Sequence, residues 1–416
     1  MKLHCLGGFG EQGRSALYVE GTSNFLIDYG VKKVDFGNRL GEVPLDNFQK
    51  LDFVLLTHAH QDHSAMLPLL VEKGFLVPVY CTDPTKELTL KMCENWWESY
   101  KSRNLESPYH RKSIEQLEKI MVTVPYYQTF MPSKSTKVTF YPSGHMVGSA
   151  ILYIEDEMTI AHFGDTNFSD LFNPEPYLEF EAKVGIINGS YGDSILVSEQ
   201  LRKQFLTLIE SNKGTVLIPC AALGRGQEVC FMLSEHAKLS KPVYVAEAIL
   251  SNTAAMLKFA DYLKAEAPDL LKKVLQWMKP RVLKEANLRD MISENAVLVG
   301  PDAMLSSGIA AKVFELVKDN NANLILLNGY QAPGTLGRKL LDRELQVEAK
   351  TVYSELKVHT DLEDNKRIIQ KTLSKAKLVL IHHGEEPKST RLALALREIF
   401  TGLDIRAPHT ADEIII

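Results

Sequence analysis

The stretch FVLLTHAHQDHSAMLPLL, Phe53–Leu70, places four metal-binding side chains between a run of strand-forming residues and an apolar helix. They are His58, His60, Asp62 and His63. Alternation along an extended chain points His58 and His60 to one side, whereas Asp62 and His63 begin the helix and point elsewhere. Imidazole and carboxylate groups are suitable ligands for zinc. The pattern therefore predicts two metal ions, one on each pair, and the alternative interpretation is a polar surface loop.

Two such ions require further protein ligands downstream. Candidates are His145 in YPSGHMVGSA, Asp165 in AHFGDTN, and His382 and His383 in VLIHHGEE. Each lies near the end of a strand-like run, where a site at the edge of a sheet needs its ligands. A single histidine of this kind is more often structural, but together with residues 58–63 these candidates predict one shared site.

The length and composition are those of a globular protein with more than one core. The chain has 416 residues, of which 45% are hydrophobic and 24% charged, and its net charge of −5 argues against a broadly basic surface that coats nucleic acid. A local groove or bound cations would have to supply positive charge. The five cysteines are scattered and odd in number, which predicts free buried thiols. We find no signal peptide and no apolar run of about 18 residues, so we expect a cytoplasmic protein.

The secondary-structure pattern changes at about residue 195. Before it, VEGTSNFLI (19–27) and LYIEDEMTIAHF (152–163) read as β-hairpins, and residues 86–102 read as a helix. After it, SEQLRKQFLTLIESN (198–212) predicts an amphipathic helix, which the apolar strand GTVLIPC (214–220) follows. Similar pairs recur to about residue 350 and predict a parallel sheet that is covered on both faces.

A series of motifs follows in order along nearly the whole chain. The first part has GGFGEQGRSALYV, FLIDYG with Asp28, THAHQDHSA, SGHMVGSA and FGDTNFS. The second part has IPCAALGRGQE, GPDAMLSSG, NGYQAPGTLGRKL, ELKVHTDLED and IHHGEE. In this order the motifs resemble the metallo-β-lactamase superfamily and, within it, the β-CASP nucleases, which include the factor that cleaves messenger-RNA 3′ ends.

The resemblance implies an α/β fold, an αββα metallo-β-lactamase sandwich with an inserted α/β β-CASP domain. The sandwich would comprise residues 1–194 and 350–416, and the insertion residues 195–349. It also implies two Zn2+ per chain. The implied ligands of one ion are His58, His60 and His145, those of the other are Asp62, His63 and His383, and Asp165 bridges both. His382 would be a strand residue.

The resemblance further implies catalytic roles for Asp62, which would orient the attacking water, and for His359 as a general acid. The family has an acidic residue that hydrogen-bonds this histidine, and here Asn188 occupies its place. We therefore expect Asn188 to orient the ring and the pKa of His359 to be lower than in relatives. Candidate substrate-binding residues are Arg225, Ser307 and Arg338.

Glu228 is expected to be a structural carboxylate. Trp96 and Trp97 are expected to serve in packing rather than base stacking.

The expected function is zinc-dependent hydrolysis of single-stranded RNA by attack of a metal-activated hydroxide. The chain end close after DEIII favours an endonuclease, which works with protein partners or as a homodimer. The alternatives are a DNA nuclease of the same fold and a weakly active RNA-binding or scaffold subunit. Manganese in place of zinc stays open, because His/Asp sites accept several divalent ions.

Overall fold

The computed structural model describes residues 1–32, 50–102, 104–237 and 239–416. Its strands are β1 Lys2–Gly7, β2 Ala16–Glu20, β3 Asn24–Ile27, β4 Phe53–Leu55, β5 Val79–Cys81, β6 Met121–Thr123, β7 Thr129–Phe130, β8 Lys137–Pro142, β9 Ala150–Glu155, β10 Thr159–His162, β11 Val184–Asn188, β12 Val216–Pro219, β13 Val243–Val245, β14 Val297–Gly300, β15 Leu324–Leu327, β16 Lys350–Tyr353, β17 Leu378–His382, β18 Ile405–Arg406 and β19 Glu413–Ile415.

The α-helices are connected by loops and a few short 3-10 turns. They are α1 Gln61–Ser64, α2 Leu67–Glu72, α3 Asp83–Ser102, α4 Arg111–Ile120, α5 Ser198–Ser211, α6 Arg225–Glu235, α7 Glu247–Met256, α8 Ala267–Met278, α9 Leu288–Ser293, α10 Gly308–Val317, α11 Leu336–Leu341, α12 Leu362–Thr372 and α13 Lys388–Ile399.

Two seven-stranded sheets pack face to face. Their strand orders are β19-β1-β2-β3-β4-β5-β6 and β18-β17-β11-β10-β9-β8-β7. Strand β2 shows the two-residue alternation that this packing needs, because Leu17 and Val19 point between the sheets while Ala16 and Tyr18 point to the helices outside. Helices α2, α3 and α4 cover the first sheet, and α12 and α13 cover the second. The predicted αββα sandwich is confirmed.

Both predicted hairpins are present, β2–β3 and β9–β10. Between the sheets, the rings of Phe25 and Phe53 stack with their centroids 5.0 Å apart. Burying each such side chain stabilises the fold by about 1.5–3 kcal/mol. The strands that carry the metal-binding motifs are therefore rigidly held.

The third sheet is fully parallel, in the order β13-β14-β12-β15-β16. Helices α5, α6 and α8 cover one face, and α9, α10 and α11 cover the other. Strand β16 pairs with β15, so this sheet continues to Tyr353, beyond the expected boundary at residue 349. The division of the chain into domains stays a prediction.

Two smaller expectations also have answers in the structure. All five cysteines are buried and free. Trp96 and Trp97 are partly buried and pack against the core beneath the first sheet, which agrees with the expected packing role, and Trp96 also lines a cavity. None of the helices in the described ranges is both long and apolar enough to cross a membrane.

Candidate metal centre

The fold brings the ends of distant strands to one edge of the sandwich. Strands β10, β11 and β17 are parallel neighbours, so Asp165, Asn188 and His383 lie at the same edge of the second sheet. Strand β9 runs antiparallel to β10, and the loop before it brings His145 to that edge too. On the first sheet, the turn from β4 to α1 carries His58 and the ligands that follow it.

Close backbone approach makes this arrangement possible. A Cβ on Gly30 would lie 1.7 Å from the carbonyl oxygen of Asp62, so only glycine fits beside the metal-binding turn. Asp28 and His383 have φ angles of 58° and 57°, in the left-handed region that non-glycine residues rarely adopt. Backbone strain of this kind is often found at functional sites, where the surrounding structure holds it in place.

The first donor set comprises His58, His60, His145 and Asp165. His60 Nδ1 lies 3.2 Å from His58 Nε2 and 3.0 Å from His145 Nε2. Asp165 Oδ2 lies 3.6 Å from His58 Nε2 and 3.5 Å from His145 Nε2. The four atoms therefore lie close enough together to bind one ion.

The second donor set comprises Asp62, His63 and His383. Asp62 Oδ2 lies 3.0 Å from His383 Nε2 and 3.9 Å from His63 Nε2. Asp165 Oδ2 is also 3.6 Å from His63 Nε2. One carboxylate oxygen of Asp165 thus lies between both sets.

The spacing of these atoms fits divalent metal ions. Four ligands at about 2.1 Å from a tetrahedral ion lie roughly 3.4 Å from one another. The donor atoms described above are separated by 3.0–3.9 Å.

In four of the five imidazole rings, a neighbouring group contacts the nitrogen that does not face the donor set, which leaves the other nitrogen free for a metal. His63 Nδ1 lies 2.7 Å from Asp28 Oδ2, and His145 Nδ1 lies 3.0 Å from the carbonyl oxygen of Val358. Asp28 also accepts two hydrogen bonds from Thr57, both of 2.8 Å.

On the remaining rings, His58 Nδ1 is 3.0 Å from Thr57 Oγ1, and His383 Nδ1 is 3.0 Å from Ser190 Oγ. The Nε2 atoms of both rings face the site.

Burial keeps the first set ready to coordinate. It lowers the pKa of His58 well below its usual value, that of His60 to about 4, and that of His145 in the same direction. Neutral imidazole is the form that binds metal.

In the second set, nearby carboxylates favour the protonated form of the two histidines. Burial alone would lower the pKa of His63, but the carboxylates of Asp165 and Asp28 outweigh it and raise the pKa to about 9. Burial acts in the same way on His383, and Asp165 and Asp62 raise its pKa. Burial would raise the pKa of Asp62, but the hydrogen bond from His383 outweighs it and holds that pKa well below the usual value.

His359 lies at the centre, although it follows β16 in the chain. Its ring stacks on His145 with centroids 5.1 Å apart, and its Nδ1 lies 3.7 Å from Asp165 Oδ2. That Nδ1 atom is buried without a hydrogen-bond partner. Burial lowers the pKa of His359 well below its usual value, more than the charge of Asp165 raises it.

The expectation that the Asn188 side chain orients His359 is wrong. Asn188 Nδ2 donates to Asp165 Oδ1 at 2.8 Å, and Asn188 Oδ1 accepts from the backbone of Ser190. The side chain therefore faces Asp165, while the His359 ring packs on His145. The Asn188 backbone carbonyl does hold the neighbouring segment, because it accepts from Thr360 Oγ1 at 3.3 Å.

His382, the last residue of β17, is a buried strand residue as expected. Its ring packs against Phe9 and His162, with centroids 4.8 and 5.3 Å away. It is absent from the donor sets found in the described part of the chain.

A cavity of about 260 Å3 opens over the donor atoms. One side is formed by sandwich residues, including His60, Asp62 and His359. The other is formed by loops that follow strands of the third sheet, including Leu223 and Tyr330. The two sides are tied together, because the hydroxyl of Tyr330 donates to Glu385 Oε1 at 2.7 Å.

The three expected substrate-binding residues differ in position. Arg225 lines the cavity, but its guanidinium is buried and bonds Glu228 and the carbonyl oxygen of Leu356. Ser307 precedes α10, and Arg338 pairs with Asp342 at 2.6 Å; the described lining of the cavity includes neither Ser307 nor Arg338.

Glu228 also bonds Arg202, at 2.9 Å, which agrees with a structural carboxylate.

Sequence reasoning missed the roles of three residues around the site. The sequence indicates Asp28 only as a motif residue, yet its carboxylate holds His63. Tyr330 and Glu385 lie in the quoted motifs NGYQAPGTLGRKL and IHHGEE, and that was the only signal for their contact.

Comparisons with known proteins decide the family. The family model for the metallo-β-lactamase superfamily domain matches residues 16–162, and the Beta-Casp domain model matches residues 226–340. Transcription termination factor FttA of Methanococcus maripaludis is 30% identical over 98% of this chain and 71% of its own length. The chain belongs to the β-CASP family of the metallo-β-lactamase superfamily. The expected resemblance is thereby confirmed.

Other β-CASP relatives cover the chain equally well. FttA of Methanocaldococcus jannaschii is 29% identical over 96% of this chain and 69% of its own length. An RNase J-like protein of the same organism is 28% identical over 95% of both chains. Members of this family are typically nucleases, and the metallo-β-lactamase fold implies divalent metal binding.

Proposed function

We propose that this β-CASP protein is a ribonuclease that hydrolyses phosphodiester bonds within single-stranded RNA. The reaction would use two divalent ions, and zinc is the metal we propose. The observation that supports this is the convergence of two donor sets beneath a cavity lined from both sides. We propose the domain division given by the sequence, except that the insertion extends to Tyr353, because β16 pairs with β15.

His58, His60 and His145 would hold one ion, and Asp62 and His63, together with His383, the other. Asp165 would bridge them through Oδ2, the oxygen that lies near both sets. When bound, such ions polarise phosphate oxygens and lower the pKa of the attacking water.

Asp62 is suited to orient the attacking water. Its side chain is 27% exposed, the most open of the carboxylates in the two sets, and it lines the cavity. Its lowered pKa keeps it ionised, so that it accepts a hydrogen bond from the water and then its proton.

His359 is suited to protonate the departing oxygen, because it lines the cavity beside the donor sets. Only the imidazolium form can give up a proton and become neutral. Since the pKa of His359 is lowered, that form is scarce at neutral pH, and the contribution of His359 falls further as the pH rises.

The substrate would be a single strand, because the cavity has a volume of only about 260 Å3 and the Tyr330–Glu385 hydrogen bond crosses from one side to the other.

A second candidate is a weakly active RNA-binding or scaffold subunit. It is favoured by Asn188, which stands where the family has an acidic residue, and by the lowered pKa of His359. Metal binding would then hold the fold together rather than support rapid cleavage.

Cleavage of end-labelled single strands of RNA and DNA separates these functions. The ribonuclease cuts the RNA within the strand, loses activity with a chelator, and is inactive as Asp62→Ala. The surface variant Asp269→Ala, at a side chain that is 79% exposed, retains activity. Equal cutting of DNA overturns the RNA preference, and RNA binding without metal-dependent cleavage supports the scaffold subunit.

A further inference from the structure

A second cavity of about 470 Å3 lies beside the metal centre, between α3 and the loop after β12. The two cavities share His60, Gln61, Asp62, Met146, Ala221 and Leu223 as lining residues. The two cavities are therefore neighbours with these residues at their boundary, and we call the second cavity the α3 groove.

The groove follows one face of α3. Leu88, Lys91, Met92, Asn95 and Trp96 line it, at the three- and four-residue spacing of a helix face. From Leu88 to Trp96 this face extends about 12 Å at ~1.5 Å per residue. Bases stacked about 3.4 Å apart would therefore have room for at least two in the groove.

The floor and the rim of the groove differ in chemistry. The floor has Leu88, Met92, Trp96 and Met146, which offer thioether and aromatic surface to a flat ring. The rim has the amide side chains of Gln61, Asn95 and Asn252. Amides supply both donors and acceptors, as the edge of an unpaired base requires.

The rim also carries one cation whose charge is not neutralised nearby. Lys91 Nζ donates to the neutral amide oxygen Asn252 Oδ1 at 3.0 Å. In the described ranges, Lys91 has no carboxylate within ion-pair distance. Asn252 is itself fixed, because its Nδ2 donates to the carbonyl oxygen of Ala222 at 3.1 Å. The ammonium group is thus placed over the junction between α3 and the third-sheet loops.

We propose that the α3 groove binds an unpaired nucleobase of the RNA strand next to the cleaved phosphate, with the base on Trp96 and Met92 and its edge facing Asn95. Lys91 contacts the neighbouring phosphate. This inference rests on the proposed ribonuclease function, since the groove lies directly beside the metal centre. It extends the substrate path out of the central cavity on the α3 side.

The test uses single-stranded RNA with one defined cleavage site and one abasic position moved along it. In the wild type, removal of the base that occupies the groove raises KM at least fivefold, the ratio that corresponds to about 1 kcal/mol of base stacking. Asn95→Ala and Lys91→Ala raise KM severalfold on the intact strand, and their effect falls on KM rather than kcat. The Asn95→Ala effect disappears on the strand that is abasic at the same position.

Matched controls are Asn321→Ala and Lys134→Ala, both at exposed positions outside the groove lining. They leave KM and kcat at the wild-type values. Metal-dependent cleavage with Asn95→Ala and Lys91→Ala equal to these controls overturns the groove proposal and leaves the ribonuclease proposal standing.

Binding of a fluorescein-labelled strand to chelator-treated protein gives a readout that needs no cleavage. Weaker binding by Asn95→Ala and Lys91→Ala than by the controls supports the groove even if the wild type does not cleave, in which case only the catalytic proposal fails. Equal binding by all four variants overturns the groove.

Discussion

Asp28→Asn tests how the fold prepares His63 to bind a metal. Asp28 Oδ2 lies 2.7 Å from His63 Nδ1, and the carboxylate also accepts two hydrogen bonds from Thr57. An asparagine that keeps its oxygen toward the backbone N–H of Thr57 must turn its amide N–H2 toward His63. That group donates to Nδ1, so the ring proton moves to Nε2, the nitrogen that faces the site.

The magnitude follows from what this change removes. A carboxylate that orients a metal-binding histidine typically contributes 10–100-fold to metal affinity, about 1.4–2.7 kcal/mol. The lost negative charge also weakens one of the interactions that raise the pKa of His63, which offsets a part of the loss because fewer protons compete. We expect a loss of about tenfold in the affinity of one of the two ions.

Competition with a chromophoric chelator measures this affinity. The matched control is Asp52→Asn, since Asp52 accepts a backbone hydrogen bond from Asn24 on the same sheet without contacting a metal donor. Thermal unfolding of both metal-free variants establishes that they fold. Wild-type affinity for both ions in a folded Asp28→Asn variant would refute the role assigned to Asp28.

Three more predictions follow from the site. Metal binding at pH 7.5 releases at least about one proton per chain, because a pKa of about 9 keeps the His63 ring protonated without metal, and the raised pKa of His383 adds to the release. Metal affinity therefore rises with pH. Calorimetry in buffers of different ionisation enthalpy counts the released protons, and zero release contradicts the assignment. His359→Gln lowers kcat about 100-fold and leaves the metal content at the wild-type level. A kcat equal to that of the wild type would contradict the general-acid role of His359. Glu228→Gln lowers the free energy of unfolding by about 3 kcal/mol in denaturant titrations, because it leaves Arg225 buried without its ion pair. An unchanged unfolding midpoint would show that water satisfies the buried guanidinium of Arg225 instead.

The sequence predicted the part of the site that is local in the chain. The stretch Phe53–Leu70 indicates strand, turn and helix by its order alone, and the residue types at 58–63 indicate a metal. His145, Asp165 and His383 lie at strand ends, and the expectation that such ends meet at one edge of a sheet is a general property of parallel strands.

The sequence does not predict which partners the side chains face. Asn188 was placed correctly at a strand end, but its amide faces Asp165 rather than His359, because the neighbouring strands decide which partner is within reach. The pairing of β16 with the third sheet depends on contacts with a strand more than twenty residues earlier. The Tyr330–Glu385 contact likewise joins loops from two sheets, and no local pattern indicates it.

The number of divalent ions bound to each folded chain tests the account most directly. Native mass spectrometry of purified protein, reconstituted with zinc and freed of excess metal, is expected to show two ions per chain for the wild type and fewer for Asp165→Ala, because Asp165 lies between both donor sets. A folded wild-type chain that retains no ion or a single ion would contradict the two-ion centre on which the proposed function depends.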